Sequence, residues 1–183
     1  HRLNGFNGDS PRRTPKDLEE YPAFSKRASS SGGVPTYSRP QCVGPISVKD
    51  LKPLEVDLQN FKDALSTSES TDAFMNAASP GVIAQFQPNQ HYPDHSSYLY
   101  ALADAMKVEY EGIAEAGLVI QIDSPDLALG RHVLFKDQSD EEFVAMAELH
   151  IEALNHALQN IPAEQLRLHV CWGNYQGPHH CDI

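Results

Sequence analysis

The sequence predicts an α/β fold with parallel strands. Its second half alternates short apolar runs with long amphipathic stretches, in the order strand, helix, strand, helix, strand, and this alternation is typical of βαβ units. Polar residues lie at the carboxyl ends of the predicted strands, at Ser79, at Asp123 and at the pair His169 and Cys171. Barrel active sites are built at the carboxyl ends of strands, whereas open sheets usually bind at one switch point. A doubly wound sheet stays open, but this placement favours a (β/α)8 TIM barrel.

Composition limits the class of protein. The 183 residues suffice for one domain with a sizeable core, and 40% hydrophobic and 21% charged residues are ordinary values. The formal net charge of -11 argues against nucleic acid and anionic membranes as partners, since both select basic surfaces. No apolar run approaches the ~20 residues that span a bilayer. Three cysteines without close spacing fit a reducing compartment, so we expect a cytoplasmic protein.

Two segments differ in composition. Residues 1–41 carry much of the Pro, Gly, Ser and Arg, and such residues do not build a packed stripe, so we expect an irregular N-terminal segment. Residues 42–183 are predicted to form a partial barrel, because a complete one typically needs ~250 residues. The chain starts without Met and ends soon after its richest motif. We therefore expect a fragment that continues beyond residue 183.

The predicted elements begin with a short strand over 42–46, which Pro45 ends. Apolar residues at helical spacing from Leu54 to Leu65 predict an amphipathic helix. The run 74–78 is predicted as a strand that leads into the breaker 79–81. The apolar run 82–86 is compatible with either a strand or a helix.

A long helix is predicted next, because an apolar stripe runs from Tyr98 to Ile113 and Gly117 is a natural C-cap. A β-branched strand follows over 118–122. Ser139 with Glu142 three residues later forms a capping box that opens another helix. On that helix the residues predicted to face inward are Phe143, Met146, His150, Leu154 and Leu158. The last strand is predicted over 166–171.

His169 and Cys171 lie two residues apart on this last strand, so both side chains point to one face. Imidazole and thiolate are preferred zinc ligands, yet a tetrahedral site needs three or four. The spacing alone therefore favours two core-filling side chains, with half of a zinc site as the alternative. His179, His180 and Cys181 follow on a stretch that composition favours as a polar loop, with metal binding as the alternative.

Further candidates follow the other strands. Asp123 comes directly after an apolar run, where a carboxylate can hold an ammonium group or act as a base. Asp126 is interpreted as a turn cap. The turn 79–81 can offer backbone N–H groups to a carboxylate, although a plain turn fits equally well. Trp172 is a candidate for stacking on a planar ligand, with a role as wall or core as the commoner alternative.

Three segments carry a resemblance to a known family: 79–86 (SPGVIAQF), 118–127 (LVIQIDSPDL) and 169–174 (HVCWGN). In this order they resemble the C-terminal catalytic barrel of cobalamin-independent methionine synthase. The match looks closest to the single-barrel, methionine-synthase-II-like members. It covers roughly residues 41–183, and the ordered set is far more specific than the His-x-Cys pair alone.

The resemblance implies a zinc enzyme of (β/α)8 fold that transfers a methyl group to a thiol, usually homocysteine. His169 and Cys171 match the family's first two zinc ligands, and the family's other two, a Glu and a Cys, are expected further along the chain. Asp123 matches the aspartate that holds the amino group of homocysteine, and it is the predicted catalytic residue. Ser79 falls in the segment that approaches the amino-acid part of the substrate, and it is predicted to bind substrate.

The segment after the His-x-Cys pair, 172–175 (WGNY), differs from that of folate-dependent methionine synthases, which also have a second, N-terminal barrel. The methyl donor therefore stays open, with methyl-folate as one candidate. One alternative is zinc-dependent alkyl transfer to another thiol, as in epoxyalkane:coenzyme M transferase. The other is a non-catalytic barrel fragment, because an isolated half barrel exposes strand edges.

Overall fold

The computed structural model describes residues 2–10, 14–30, 39–172 and 180. Within those ranges it has five strands and seven α-helices, with short 3-10 turns at Pro125–Leu127 and Ala163–Gln165. In chain order the elements are β1 Leu3–Asn7, α1 Lys16–Glu20, α2 Pro22–Ser30, β2 Gln41–Val48, α3 Lys52–Ser66, β3 Phe74–Ala78, α4 Pro80–Phe86, α5 His95–Glu115, β4 Val119–Asp123, α6 Gly130–Val133, α7 Asp140–Leu158 and β5 Leu166–His169.

A parallel sheet of three strands, in the order β3-β4-β5, organises the second half of the chain. The predicted α/β alternation with parallel strands is confirmed. In the register of this sheet, Ala78 lies opposite Asp123, and Asp123 lies opposite His169. The carboxyl ends of all three strands are therefore level, and the residues that follow them meet at one edge.

Helices α5 and α7 pack against each other and provide most of the core. The stripe predicted on α5 is buried along its whole length, and Gly117 has a φ of +80°, as expected of a residue that ends a helix. The capping box at Ser139 and Glu142 is present. Core residues from α5, β4 and α7 include Tyr98, Leu99, Leu102, Ile113, Ile120, Ile122, Ala153 and Leu154.

The N-terminal segment corrects one prediction. Residues 1–41 were expected to be irregular, yet their described part contains β1, α1 and α2, and β1 pairs antiparallel with β2. The partner of Phe6 is Cys42, so no local sequence pattern signals this strand. Gly5 is required there, because it has a φ of +93° and a Cβ would lie 2.8 Å from the carbonyl oxygens of Gly44 and Pro45.

Two element boundaries also differ from prediction, and one run that the sequence left open takes a definite form. β2 continues past Pro45 to Val48, because Pro45 lies at an irregularity in the β1–β2 register, where no ladder hydrogen bond needs its missing N–H. The run 82–86 is helical and belongs to α4, which Ser79 caps. β5 ends at His169, so Cys171 lies two residues beyond the strand rather than on it.

No helix in the described part of the chain is both long enough and apolar enough to cross a membrane.

Candidate functional site

The carboxyl ends of β4 and β5 bring three potential metal ligands together. Asp123 is the last residue of β4, His169 is the last residue of β5, and Cys171 follows shortly after it. One ligand atom from each side chain lies within 4.8 Å of the other two. His169 Nε2 lies 3.7 Å from Asp123 Oδ1. The three residues therefore lie together at one edge of the sheet, and the roles predicted for them stay predictions.

This group of three is accessible to a ligand from outside. The side chains of Asp123 and His169 are each 46% exposed, and Cys171 is partly buried. Imidazole nitrogen, thiolate sulfur and carboxylate oxygen are the three ligand types that zinc takes in proteins. The donor set thus fits a divalent zinc ion with an open side toward solvent.

Main-chain hydrogen bonds join the three strand ends. Ser79 N donates to Asp123 O at 3.0 Å, and Ser124 N donates to His169 O at 2.9 Å. The hydroxyl of Tyr110, on helix α5, donates to the carbonyl oxygen of Ala78, the last residue of β3, at 2.6 Å. Burial raises the pKa of this phenol, so the hydroxyl stays protonated as a donor. The edge that carries the candidate site is therefore fixed on each of its strands.

Ser79 has its hydroxyl directed into the protein. The hydroxyl accepts a hydrogen bond from Val82 N at 2.9 Å, which caps α4, and donates to Asp126 Oδ1 at 2.8 Å. Ser79 is only 2% exposed. In this structure the hydroxyl therefore serves the helix and Asp126, while contact between Ser79 and a substrate stays a prediction.

Asp126 and His150 form a buried pair that sequence reasoning did not foresee. Asp126 was interpreted as a turn cap, but its carboxylate is 2% exposed and bridges Ser79 and His150. His150 was predicted on the inward face of α7, and it is 3% exposed there. The sequence did contain one signal, a histidine on an otherwise apolar helix face. Because a buried polar group needs a hydrogen-bonding partner, such a histidine indicates that a partner lies opposite it.

The remaining candidates make contacts of their own. Trp172 is 36% exposed and meets the His132 ring edge-on, with ring centroids 5.3 Å apart. His180 contacts the Glu20 carboxylate and the Tyr21 ring. His179 and Cys181, the other candidates of that loop, lie outside the described residues.

Comparison with curated proteins shows similarity to methionine synthases. The chain is 30% identical to the methionine synthase of Saccharolobus solfataricus over 144 residues, which cover 78% of this chain and 38% of that protein. It is 28% identical to the methionine synthase of Sulfurisphaera tokodaii, again over 78% of this chain and over 37% of that protein. The chain thus spans less than half the length of these relatives. No protein-family model matches it.

Among solved structures, the chain resembles a B12-independent methionine synthase from Shewanella sp. W3-18-1, which was determined in complex with selenomethionine. The TM-score is 0.60 at 19% sequence identity, and the match covers 94% of this chain and 41% of the other. At this identity the likeness establishes the fold alone.

Proposed function

Because the chain belongs to the cobalamin-independent methionine synthase-like family, we propose that it carries part of the active site of a zinc-dependent enzyme that methylates a thiol. The most favoured acceptor is homocysteine, with methionine as the product. The observation that carries the proposal is the meeting of Asp123, His169 and Cys171 at one edge of the sheet.

His169 and Cys171 are the proposed zinc ligands in this chain. They supply one nitrogen and one sulfur donor on neighbouring positions of the site edge, and their chemistry suits zinc. A bound zinc ion would deprotonate a thiol that coordinates it at neutral pH, and so make the thiol a nucleophile. Two further ligands, a Glu and a Cys, are proposed to come from a part of the full-length protein outside this chain, as the resemblance to the family implies.

Asp123 is proposed to hold the amino group of the thiol substrate. Its carboxylate follows the buried strand β4 and is half exposed beside His169, so an ammonium group can reach it from solvent. A charge-assisted hydrogen bond there would orient the amino acid and aim its sulfur at the metal ligands. The Ser79 segment would line the amino-acid end of the same pocket.

The reaction we propose is a simple displacement. The substrate sulfur forms a bond to the methyl carbon, and the bond from that carbon to the donor breaks with its electron pair left on the donor. The proton that the thiol loses balances the proton that the departing donor takes up. The donor must therefore carry an activated methyl group, and methyl-folate is the proposed candidate. Alkyl transfer to a different thiol uses the same ligand set and is kept as the second candidate.

The proposed setting of this site is a (β/α)8 barrel, of which residues 42–183 would form one part. The three-stranded parallel sheet supports this, because its register sets the strand ends level, and barrel active sites lie at that face. Leu168 on β5 is 52% exposed, as expected of a strand that further barrel strands would cover.

Metal analysis of the full-length protein tests the proposal. We expect about one zinc per chain, and its loss in H169A and C171S, because each substitution removes a ligand. Cys42→Ala and His156→Ala are matched controls, since Cys42 is buried in the core and His156 pairs with Asp104 on the surface of α7. Both controls should keep their zinc.

A wild-type protein without zinc would refute both transferase functions. If the protein binds zinc but does not methylate homocysteine with any methyl donor, only the second candidate, alkyl transfer to another thiol, would remain.

A further inference from the structure

A chain of hydrogen bonds runs from Ser79 through Asp126 and His150 to His95, beneath the candidate site. Ser79 Oγ lies 2.8 Å from Asp126 Oδ1, and Asp126 Oδ2 lies 2.8 Å from His150 Nδ1. His150 Nε2 lies 2.9 Å from His95 Nε2. Ser79, Asp126 and His150 are each at most 3% exposed. A buried network of this kind is costly to leave half-made, so it holds one arrangement firmly.

The direction of each bond follows from the donors available. With Asp126 ionised, both its oxygens accept, so the Ser79 hydroxyl and His150 Nδ1–H donate to it. A neutral His150 then presents Nε2 as an acceptor, and His95 Nε2–H donates to it. The tautomers of both histidines are thereby linked to the charge on Asp126.

The side chains that form this series of hydrogen bonds are tightly enclosed. A Cβ at Gly81 would overlap both the Asp126 carboxylate and the His150 ring. On the far side, the Phe135 ring packs against His150 and His95, with centroid distances of 5.7 and 5.9 Å. The Asp126 carboxylate is thus held between Ser79, His150 and the backbone at Gly81, and Asp126 itself lies in the turn that follows β4.

That turn also carries Asp123. The last residue of β4 is three positions before Asp126, and its carbonyl oxygen accepts from Ser79 N. Ser124 in the same turn donates to the end of β5. The turn is thus fixed to β3 and β5 by its backbone and to α7 by the Asp126 side chain.

We infer that Ser79, Asp126 and His150 are positioning residues, which hold the turn after β4 so that the Asp123 carboxylate receives the amino group of the thiol substrate. This inference rests on the proposed function. It gives the Ser79 hydroxyl a structural partner in Asp126, and it adds Asp126 and His150 to the residues on which substrate binding depends. None of the three needs to touch the substrate.

Two substitutions at His150 in the full-length protein separate the bonds. H150F keeps a ring but removes both hydrogen bonds, whereas H150N keeps a donor near the Nδ1 position and loses the bond to His95. H156F is the matched control, because His156 also lies on α7 and pairs with an aspartate at 2.7 Å, but on the surface. We expect H150F to raise the KM for homocysteine about tenfold, the usual consequence of losing a buried hydrogen bond to a charged group. Its kcat and zinc content should stay close to those of the wild type.

H150N should retain most of the wild-type affinity, and H156F should match the wild type. If H150F does not fold, D126N takes its place, because it keeps the size of the side chain but has one acceptor oxygen instead of two, so that the bond to Ser79 or the bond to His150 must change. A wild-type KM in the folded H150F or D126N variant would overturn the inference. So would an equal loss of affinity in the H156F control.

Amide hydrogen exchange at Ser124, Asp126 and Leu127, which lie in the turn after β4, keeps this inference distinguishable from the proposed function. H150F should exchange faster than the wild type at these positions, and H156F should not. If the wild type neither binds homocysteine nor methylates it, the proposed function fails, and the exchange rates still report whether His150 holds the turn. Unchanged exchange in H150F would show that it does not.

Discussion

At the scale of the single residue, the position of the Asp123 carboxylate suits two roles, binding a metal ion and binding the ammonium group of a substrate. Its carboxylate is close enough to His169 and Cys171 to share a metal ion with them, and it is exposed enough to receive the ammonium group of a substrate. We propose that it serves the substrate rather than the metal, as the resemblance to the family implies. The two roles lead to opposite results on substitution.

Replacement of Asp123 by Asn separates these roles. We expect D123N to keep its zinc and to raise the KM for homocysteine ~10- to 100-fold, because it removes a charge-assisted hydrogen bond. Zinc content and KM are measured on the same preparation of the full-length protein. Loss of zinc in D123N would instead make Asp123 a metal ligand and contradict the assignment.

Gly81 has no room for a side chain, because Asp126 and His150 occupy the space in which a Cβ would lie. We expect G81A to lower the free energy of unfolding by ~1–3 kcal/mol, the usual effect of overpacking a closed site. Gly44→Ala is the matched control, since the nearest atom to its Cβ would be Gly5 Cα at 3.9 Å. Chemical denaturation measures both variants. If G81A and the wild type had the same free energy of unfolding, Asp126 and His150 would pack less tightly around Gly81 than they do in the structure.

At the scale of the elements, helix α5 begins at an aspartate cap that makes its stability depend on pH. Asp94 accepts from Ser97 N at 2.7 Å, and this backbone hydrogen bond holds the pKa of its carboxyl below the ordinary value. A lowered folded-state pKa adds stability above the unfolded-state pKa, and this stability is lost as the pH falls through the folded-state pKa.

We therefore expect D94N to remove this pH dependence. Asn is an equally good N-cap but does not titrate. The stability difference between wild type and D94N should be constant at neutral pH and should shift against the wild type below about pH 4, where aspartate takes up its proton. Thermal unfolding across the acidic range measures it. If the stability difference between wild type and D94N does not change with pH, the protonation of Asp94 does not affect the stability of the protein.

The elements that the sequence predicted well have local signals. α5 and α7 have apolar stripes and recognisable caps, and β4 is a β-branched run. β1 escaped prediction because its partner β2 lies some 35 to 45 residues away in the chain, as the pairs Asn7–Gln41 and Leu3–Val48 show. Local periodicity carries no information about such a partner.

The candidate site divides in the same way. Asp123, His169 and Cys171 could be placed together because each lies at or just after the carboxyl end of a predicted parallel strand, and these ends meet at one edge. The bonds of Asp126 could not be predicted, because they join it to Ser79, 47 residues away, and to His150, 24 residues away. Only the folded arrangement of α4, α7 and the turn after β4 brings these side chains into contact.

At the scale of the whole molecule, the chain corresponds to less than half of its relatives, yet it brings together three of the groups that the proposed reaction uses. β3, β4 and β5 set the site at one edge, and α5 and α7 support it from behind. The outer strands carry exposed apolar residues, among them Phe74 at 41% and Leu168 at 52%. The proposed barrel would place further strands against them.

The central claim is that this edge of the sheet belongs to a zinc-dependent thiol methyltransferase. The most direct test is the rate of methionine formation from homocysteine by the full-length protein, measured before zinc removal by a chelator, after it, and after zinc is restored. With methyl-folate or another activated methyl donor, we expect the rate to vanish on zinc removal and to return with zinc. A rate that does not change when zinc is removed, or no methionine with any donor, would contradict the claim.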